Sequence, residues 1–202
     1  MARPESFDRE AVVRAARNLF WSTGYESSSI ADIEMATGLS RSSIYNAFGS
    51  KRGLFDEAVQ SYLEEVVRPR LRPLAVGAIA VDAIATYLSE LHAMFRTGES
   101  MAASQGCLLV NTARSALAND PQITRAIRDY LSELHSALES GILARRPELD
   151  VPAASCLADA VTGLVVAAFS VARVDVSQSA RCIETALDLL DQRRVAIASV
   201  PR

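Results

Sequence analysis

Apolar residues recur along the chain at the three- and four-residue spacing of amphipathic helices, and the alternating pattern of strands is scarce. In the N-terminal third, this spacing predicts four helices, which cover residues 8–22, 29–37, 40–48 and 51–69. Pro69 and Pro73 are expected to break the fourth helix. Gly24 and Gly38 are expected to end the first two, because glycine readily adopts the left-handed backbone that closes a helix. Ser29, with Asp32 three residues later, is typical of a capped helix start.

The rest of the chain predicts five further helices, separated by segments that contain proline, glycine or polar residues. They cover residues 81–96, 106–118, 121–145, 153–174 and 177–196. Asp120-Pro121 is a strong start signal, since aspartate caps a helix and proline is favoured at the first helical position. Residues 98–104 are expected to form a loop. The predicted fold class is all-α with about nine helices, arranged as a three-helix head and a helical-bundle body.

Composition narrows the possible classes of protein. The chain has 202 residues, of which 50% are hydrophobic and 22% charged, so a folded domain is expected. No apolar stretch approaches the ~20 residues that a membrane span needs, and the first ten residues lack the apolar core of a signal peptide. We therefore expect a cytoplasmic protein without a membrane partner.

Candidate chemistry for catalysis or metal binding is missing from the sequence. The three cysteines and two histidines are widely spaced, which predicts neither a disulfide framework nor a metal site. No glycine-rich phosphate loop and no Ser/His/Asp arrangement can be placed. We expect no cofactor and no enzymatic activity.

The net charge of −3 does not by itself suggest a nucleic-acid partner. Residues 1–57 are also close to neutral, with seven basic and eight acidic side chains. Local placement of charge decides DNA binding rather than the total. Lys51 is informative in this respect, because it is the single lysine of a chain that has twenty arginines.

The two short helices on either side of Gly38-Leu39 have the spacing of a helix-turn-helix, in which the second helix enters the major groove of DNA. Gly38 suits the sharp reversal between them. Apolar side chains at helical spacing attach both helices to the rest of the head; these are Ile30, Ile33, Leu39, Ile44 and Phe48.

Residues 9–55 resemble the DNA-binding head of the TetR family of bacterial regulators. The matching elements, in order, are Ala15-Ala16, Leu19-Phe20, Gly24-Tyr25, Ile30-Ala31-Asp32-Ile33, Thr37-Gly38-Leu39-Ser40, Ser43-Ile44-Tyr45, Phe48, Ser50-Lys51 and Leu54-Phe55. A bare helix-turn-helix pattern has little specificity, whereas this ordered set spans a whole head. The match covers about a quarter of the chain, and the chain length and helical body agree with the family.

The resemblance implies roles for individual residues of the head. Tyr45 and Lys51 match positions that contact DNA phosphates, and Ser29 matches a hydroxyl position that often does the same. The base-reading face is implied to consist of Ser40, Arg41, Ser42, Ser43 and Asn46. Glu34 stands where many such sequences have alanine, and Ser42 where glycine is frequent, which leaves the base-reading pattern open. Tyr45 could instead be a core aromatic residue, and Lys51 and Arg41 ordinary surface charges.

For the body, the resemblance implies an effector pocket and a dimer interface, with residues 1–55 forming the DNA-binding domain and residues 56–202 the effector-binding and dimerisation domain. Pocket candidates are Tyr87, Leu91, His92, Phe95, Met101, Cys107, Asn111 and Tyr130. Interface candidates on the last two helices are Leu157, Val161, Leu164, Val165, Ala168, Ile183, Leu187 and Leu190. Apolar residues at helical spacing can equally be core residues of one chain, and this alternative stays open for both sets.

Cys107 lies at the start of a predicted helix and has two interpretations. The N-terminus of a helix makes a thiol more reactive, which would suit a sensor of oxidants or electrophiles. Alternatively, the residue is a small buried hydrophobic side chain. Cys156 and Cys182 lie within apolar helical patterns and are expected to be packing residues.

These observations predict a ligand-responsive regulator, most simply a repressor, that binds a palindromic DNA operator as a homodimer. An apolar small-molecule effector would release it from DNA. The alternative within this class is a repressor that senses oxidants or electrophiles through Cys107. An enzyme built in the helical body lacks convergent acid and base residues, and a pure protein-interaction module does not explain the residues from Ser40 to Lys51.

Overall fold

The computed structural model describes residues 7–191, and its head consists of four helices. They are α1 (Arg9–Thr23), α2 (Ile30–Thr37), α3 (Arg41–Phe48) and α4 (Lys51–Tyr62). α1 packs against α2 and α4, and α3 packs against α2 and α4. Each begins directly after a capping residue, because Asp8, Ser29, Ser40 and Ser50 each accept a hydrogen bond from a backbone N–H in the first turn. Of these caps, the sequence predicted Ser29.

An aromatic core holds the head together. The rings of Phe20 and Phe55 meet edge to face with their centroids 5.2 Å apart, and Tyr25 contacts Phe55 at 5.1 Å. Ile33 and Ile44 are fully buried beside them. The apolar stripes predicted from spacing are therefore the faces that attach α2 and α3 to α1 and α4.

The prolines after α4 do not end the helical path, which corrects the prediction. α4 passes into a π-helical turn (Leu63–Val67), and the chain then continues as α5 (Arg68–Ala75). Pro69 lies in the first turn of α5, directly after the π-helical turn, and the first turn is the part of a helix that tolerates proline. One helical path therefore leads from the head into the body.

The body is built from six further α-helices and a 3-10 turn. They are α6 (Ala83–Thr97), α7 (Met101–Gln105), α8 (Leu108–Thr112), the 3-10 turn (Ala116–Asn119), α9 (Pro121–Arg145), α10 (Val151–Val171) and α11 (Val176–Asp191). α9 packs against α5 and α10, while α11 packs against α6 and α10. Within residues 7–191 there is no strand, and nine helices have eight or more residues, which confirms the all-α fold class.

Two predicted elements between α6 and α9 were wrong. Residues 98–104 include a short helix, α7, because the Ser100 hydroxyl caps it by accepting from the backbone N–H of Ala103. The helix predicted over 106–118 is divided, since Gly106 has a non-helical backbone with φ 73° and the Ser115 side chain starts a separate 3-10 turn. The last predicted helix begins at Val176 and is described as far as Asp191; its predicted end at 196 lies outside the described residues.

α10 is the most apolar helix of the chain. By length and composition it is long enough to cross a membrane, and only 28% of its most apolar 18-residue window is buried. This corrects the expectation that no apolar stretch approaches the length of a membrane span, because the apolar helix extends back to Val151. Length and composition are shared by membrane spans and by helices that pack against protein, and α10 packs along α9 and α11.

Candidate nucleic-acid interface

The turn between α2 and α3 has the geometry of a helix-turn-helix. Gly38 ends α2 in the left-handed conformation (φ 70°, ψ 6°), as its position predicted. The Thr37 hydroxyl accepts a hydrogen bond from the backbone N–H of Leu39 at 3.3 Å, and Leu39 packs against the core. These contacts fix the direction in which α3 leaves the turn.

Both short helices are capped by side chains of this segment. Ser29 and Asp32 form a complete capping box, in which the hydrogen bonds from Ser29 hold the pKa of the Asp32 carboxyl below its ordinary value. Ser40 accepts from the backbone N–H of Ser43 at the start of α3. The Glu34 carboxylate accepts a second N–H of that turn, from Arg41, at 2.5 Å. The departure from alanine at Glu34 therefore has a structural role, which is to hold the first turn of α3.

The outer face of α3 presents polar and aromatic side chains to solvent. Ser40, Arg41, Ser42, Tyr45 and Asn46 are exposed, and Ser43 is half-buried. Tyr45 is 39% exposed, so it is not a core aromatic residue. The Arg41 guanidinium lies 5.7 Å from the centroid of the Tyr45 ring, one helical turn away. The exposed side chains of this face are therefore accessible to another molecule.

Lys51 is the first residue of α4 and is held in place by an aromatic ring. Its ammonium group lies 4.3 Å from the centroid of the Tyr25 ring, in the loop after α1. Partial burial lowers the pKa of Lys51, while the Glu26 and Asp32 carboxylates act in the opposite direction. Because a helix N-terminus also points unpaired N–H groups outward, Lys51 and the start of α4 together suit an anion such as a phosphate.

Ser29 lies at the start of α2 and is exposed, although its hydroxyl is shared with the capping box. The predicted DNA-contact residues thus lie at the N-termini of α2, α3 and α4 and along the outer face of α3. Their contact with DNA stays a prediction. Sequence reasoning missed Tyr25 as the ring under Lys51, and Met35, which is 81% exposed on α2.

The head is joined to the body through the end of α1. The Trp21 indole is buried, donates from Nε1 to the carbonyl of Gly106 at 2.9 Å, and meets the Tyr62 ring edge to face at 4.9 Å. Gly106 is required there, because its φ is positive and a Cβ atom would lie 2.2 Å from the carbonyl oxygen of Phe169. Arg173, just beyond α10, donates to the carbonyls of Trp21 and Ser22 at 2.7 and 2.8 Å.

The predicted pocket residues are distributed over several places in the body. Tyr87 and Leu91 line a cavity of about 170 Å³ with Arg70 and Met94. Asn111 lines a cleft of about 370 Å³ between head and body, and donates to the carbonyl of Gln105 at 2.8 Å. Phe95 is fully buried against Phe169, while His92 and Met101 are half-buried.

Tyr130 lines a groove of about 530 Å³ between the α4–α5 path and α9. Leu63 is part of the same lining, which also includes four charged side chains: Arg68, Arg125, Asp129 and Glu133. The other seven pocket candidates do not line this groove. The effector pocket stays a prediction, and Tyr130 is the candidate that lines this groove.

Cys107 is buried and in contact with the hydroxyl of Tyr130, at 3.5 Å from its thiol. Burial raises the pKa of Tyr130, and also that of Tyr62, well above the ordinary value. The residue stands immediately before α8, a helix of five residues. This environment agrees with the packing interpretation of Cys107. Cys156 is exposed and Cys182 is partly buried.

Five of the eight interface candidates are buried in the core of the single chain. Val161, Val165, Ala168, Ile183 and Leu190 are almost completely buried in the core between α10, α11 and their neighbours. Leu157, Leu164 and Leu187 are partly exposed. The exposed residues of α10 include Asp159 and four small residues spaced four, three and four apart: Cys156, Ala160, Gly163 and Ala167.

Known proteins resemble this chain in sequence and in fold. Residues 12–58 match the family model described as bacterial regulatory proteins, tetR family. The uncharacterized HTH-type transcriptional regulator YezE of Bacillus subtilis (strain 168) is 30% identical over 143 residues, which are 71% of this chain and 72% of YezE. The HTH-type transcriptional repressor ComR of Escherichia coli (strain K12) is 26% identical over 151 residues, covering 74% of this chain and 70% of ComR.

Among solved structures, a cysteine mutant of the TetR family transcriptional regulator CifR in complex with a 26-base-pair operator DNA superposes with a TM-score of 0.76. It is 28% identical to this chain, and the superposition covers 92% of this chain and 98% of CifR. The similarity therefore extends through the body as well as the head.

The hydrogen bond between the Glu34 carboxylate and the first turn of α3 leads to a testable prediction. Glu34→Ala removes the acceptor for the Arg41 N–H, so we expect the free energy of unfolding to fall by about 1 kcal/mol, the usual cost of losing a helix cap. Urea unfolding followed by circular dichroism measures this. Glu34→Gln is the matched control, since its amide oxygen can still accept, and it should lose clearly less. Equal stability of the alanine variant and the parent would contradict the structural role.

Proposed function

The chain belongs to the TetR family of bacterial transcriptional regulators, and on this basis we propose that it is a repressor that binds a palindromic DNA operator as a homodimer. One observation carries the proposal: α3 presents an exposed polar face next to Lys51 at the start of α4. Hydroxyl, amide and guanidinium groups on this face are suited to base edges, while Tyr45 and Lys51 are suited to phosphates. ComR is named a repressor and CifR was solved on operator DNA, which supports the same role here.

A small-molecule effector is the second part of the proposal. The groove beside α9 is large enough for a small ligand, and Tyr130 in its lining contacts Cys107 next to the head–body junction. A ligand in the groove would shift the protein between DNA-bound and free states only by its difference in affinity for the two. Because four charged side chains line the groove, we propose an effector that carries polar groups as well as an apolar part.

A second copy of the chain is the occupant that best suits the outer face of α10. This face is apolar and little buried, and an exposed apolar patch of a helix usually marks an interface. Gly163 lies in the middle of the helix, and a Cβ atom there would meet nothing within 4 Å in the same chain. Glycine in a helix interior costs about 1 kcal/mol relative to alanine, so its presence favours a close approach by another helix. In the resulting dimer, the two heads would contact two half-sites that lie about one DNA turn apart.

DNA binding is tested by selecting duplexes from a random pool with the parent protein and the variants Tyr45→Ala and Lys51→Ala. We expect the parent to recover an inverted repeat. Lys51→Ala should weaken binding to all sequences alike and reduce the salt dependence of the binding constant by about one unit per lost phosphate contact.

Arg128→Ala is the matched control for lost charge, because Arg128 is exposed on α9 in the body, and it should bind as the parent does. Tyr45→Phe separates the hydroxyl of that residue from its ring. Failure of the parent to enrich any sequence would refute the proposed function, and equal enrichment by the parent and both alanine variants would refute the assigned contacts.

Dimerisation is tested with Gly163→Arg. The side chain has open space in the single chain, so the fold should be retained, whereas a charge without a partner inside an interface strongly opposes association. We expect the dimer dissociation constant to rise about 100-fold or more, equivalent to about 2.7 kcal/mol. Sedimentation equilibrium measures it, with Ser132→Arg on the exposed side of α9 as the control. A parent that is monomeric, or a variant that still dimerises normally, would overturn the assignment.

A redox response is the second candidate function, and the position of Cys107 favours it. The thiol contacts the hydroxyl of Tyr130 on α9, so a modified sulfur would displace α9 beside the head–body junction. If this candidate is correct, hydrogen peroxide or N-ethylmaleimide releases the parent from its operator, and Cys107→Ser resists release. Cys156→Ser is the control and should respond as the parent does. Equal release of Cys107→Ser and the parent would eliminate this candidate.

A further inference from the structure

An ion pair links Arg52, in the first turn of α4, to Asp120, the N-cap residue of the long body helix α9. Arg52, the second residue of α4, donates from Nη1 to Asp120 Oδ2 at 2.7 Å and from Nη2 to Asp120 Oδ1 at 2.9 Å. Its Nε donates to Asp56 at 2.8 Å. Two parallel hydrogen bonds between a guanidinium and a carboxylate restrict both distance and angle, which a single contact does not.

Both ends of this pair are anchored in rigid backbone. Asp120 is the N-cap of α9 and accepts from the backbone N–H groups of Gln122 and Ile123 at 2.9 and 3.2 Å, ahead of Pro121. The hydrogen bonds from Arg52 hold the pKa of the Asp120 carboxyl well below its usual range. The carboxylate therefore stays ionised at neutral pH, where it faces the guanidinium. At the other end of the pair, Arg52 lies in the first turn of α4, directly after Lys51.

The pair completes a two-point attachment of the head. The first point lies at the end of α1, where Trp21 and Arg173 connect to the body. An attachment at one point would leave the head free to pivot, and a second attachment at the start of α4 removes that freedom. A further exposed contact on this second side joins the Glu26 carboxylate to the backbone N–H of Leu117 at 3.2 Å.

We propose that Arg52 and Asp120 are positioning residues, which fix the angle of the head on the body and thereby select the spacing between the two half-sites of the operator. This inference rests on the proposed function as a dimeric DNA-binding protein. Adding one base pair between half-sites moves one of them by about 3.4 Å along the duplex and rotates it by about 34°. A head that is fixed at both points cannot follow that change, whereas a head that pivots can.

The test uses duplexes that carry the half-site selected by the parent, with the spacer varied one base pair at a time. The variants are Arg52→Gln, Asp120→Asn and the double substitution. Asparagine is as good an N-cap as aspartate, so Asp120→Asn removes the charge and leaves α9 capped. Arg145→Gln is the matched control: Arg145 is 23% exposed, against 22% for Arg52, and it forms ion pairs with Asp82 and Asp191 at the other end of α9.

We expect the parent and the control to prefer one spacer by about tenfold over its neighbours, a difference within the range of single-step mismatches in DNA sites. In both single variants this preference should fall to about twofold, with no change in the preferred half-site sequence. The double variant should resemble the single variants, because the two residues act as one unit. A merely structural role would lower thermal stability without changing the preference among spacers.

Unchanged spacer preference in Arg52→Gln and Asp120→Asn would overturn this inference while leaving the proposed function intact. Loss of spacer preference in Arg145→Gln as well would also overturn it, since the effect would then follow from any ion pair of α9. If the parent binds no DNA sequence preferentially, it is the proposed function that fails.

Discussion

The end of α1 is anchored to the body because the Trp21 indole is buried between the Tyr62 ring and the carbonyl of Gly106. This placement depends on a residue with a positive φ and no Cβ at position 106, which leaves room beside the carbonyl of Phe169. α1 ends at this junction and α4 passes it, so the helices that carry the proposed DNA-binding face are connected to the body there. Cys107 is the next residue, and its thiol contacts Tyr130 of α9. A single packed site thus joins the head, the helical path into the body and the long helix α9.

Side-chain caps define the surface that would meet DNA. Serine starts α2, α3 and α4, and in each case its hydroxyl accepts a backbone N–H of the first turn. Glu34 adds a carboxylate to the start of α3. Such caps fix where each helix begins and leave the outward-facing side chains and N–H groups exposed. A head with almost no net charge can therefore still present cationic and N–H groups in one place. This explains why overall charge carried little information about the function of the chain.

Sequence patterns that depend on neighbouring residues predicted the head well. They could not predict contacts between residues that are far apart in the chain. Gly38 and the capping box at Ser29 depend on contacts within a few residues, and both appear as the sequence indicated. The Asp-Pro signal placed the start of α9 correctly, but the partner of Asp120 lies 68 residues away at Arg52, and no periodicity encodes that contact. Pro69 was interpreted as a breaker, whereas a π-helical turn before it allows the helical path to continue.

Burial in the body shows a second limit of sequence patterns. Apolar residues at helical spacing on α10 and α11 were assigned to an interface, and most of them lie in the core of one chain. The spacing of apolar residues indicates that their side chains are buried. It does not indicate whether they are buried by the same chain or by a second copy. The small residues Ala160 and Gly163 lie on the exposed side of α10. Residue size and exposure together therefore identify the face that is available to another molecule, which hydrophobicity alone does not.

The composition of the chain gives the junction one more property. Trp21 is the single tryptophan among the 202 residues, and it lies where the head meets the body. Indole emission depends on the polarity around the ring and on the hydrogen bond from its nitrogen, both of which are set here by Tyr62 and Gly106. The tryptophan fluorescence of this protein therefore reports on the head–body contact, and a tilt of the head that alters this contact can be followed optically in the unlabelled protein.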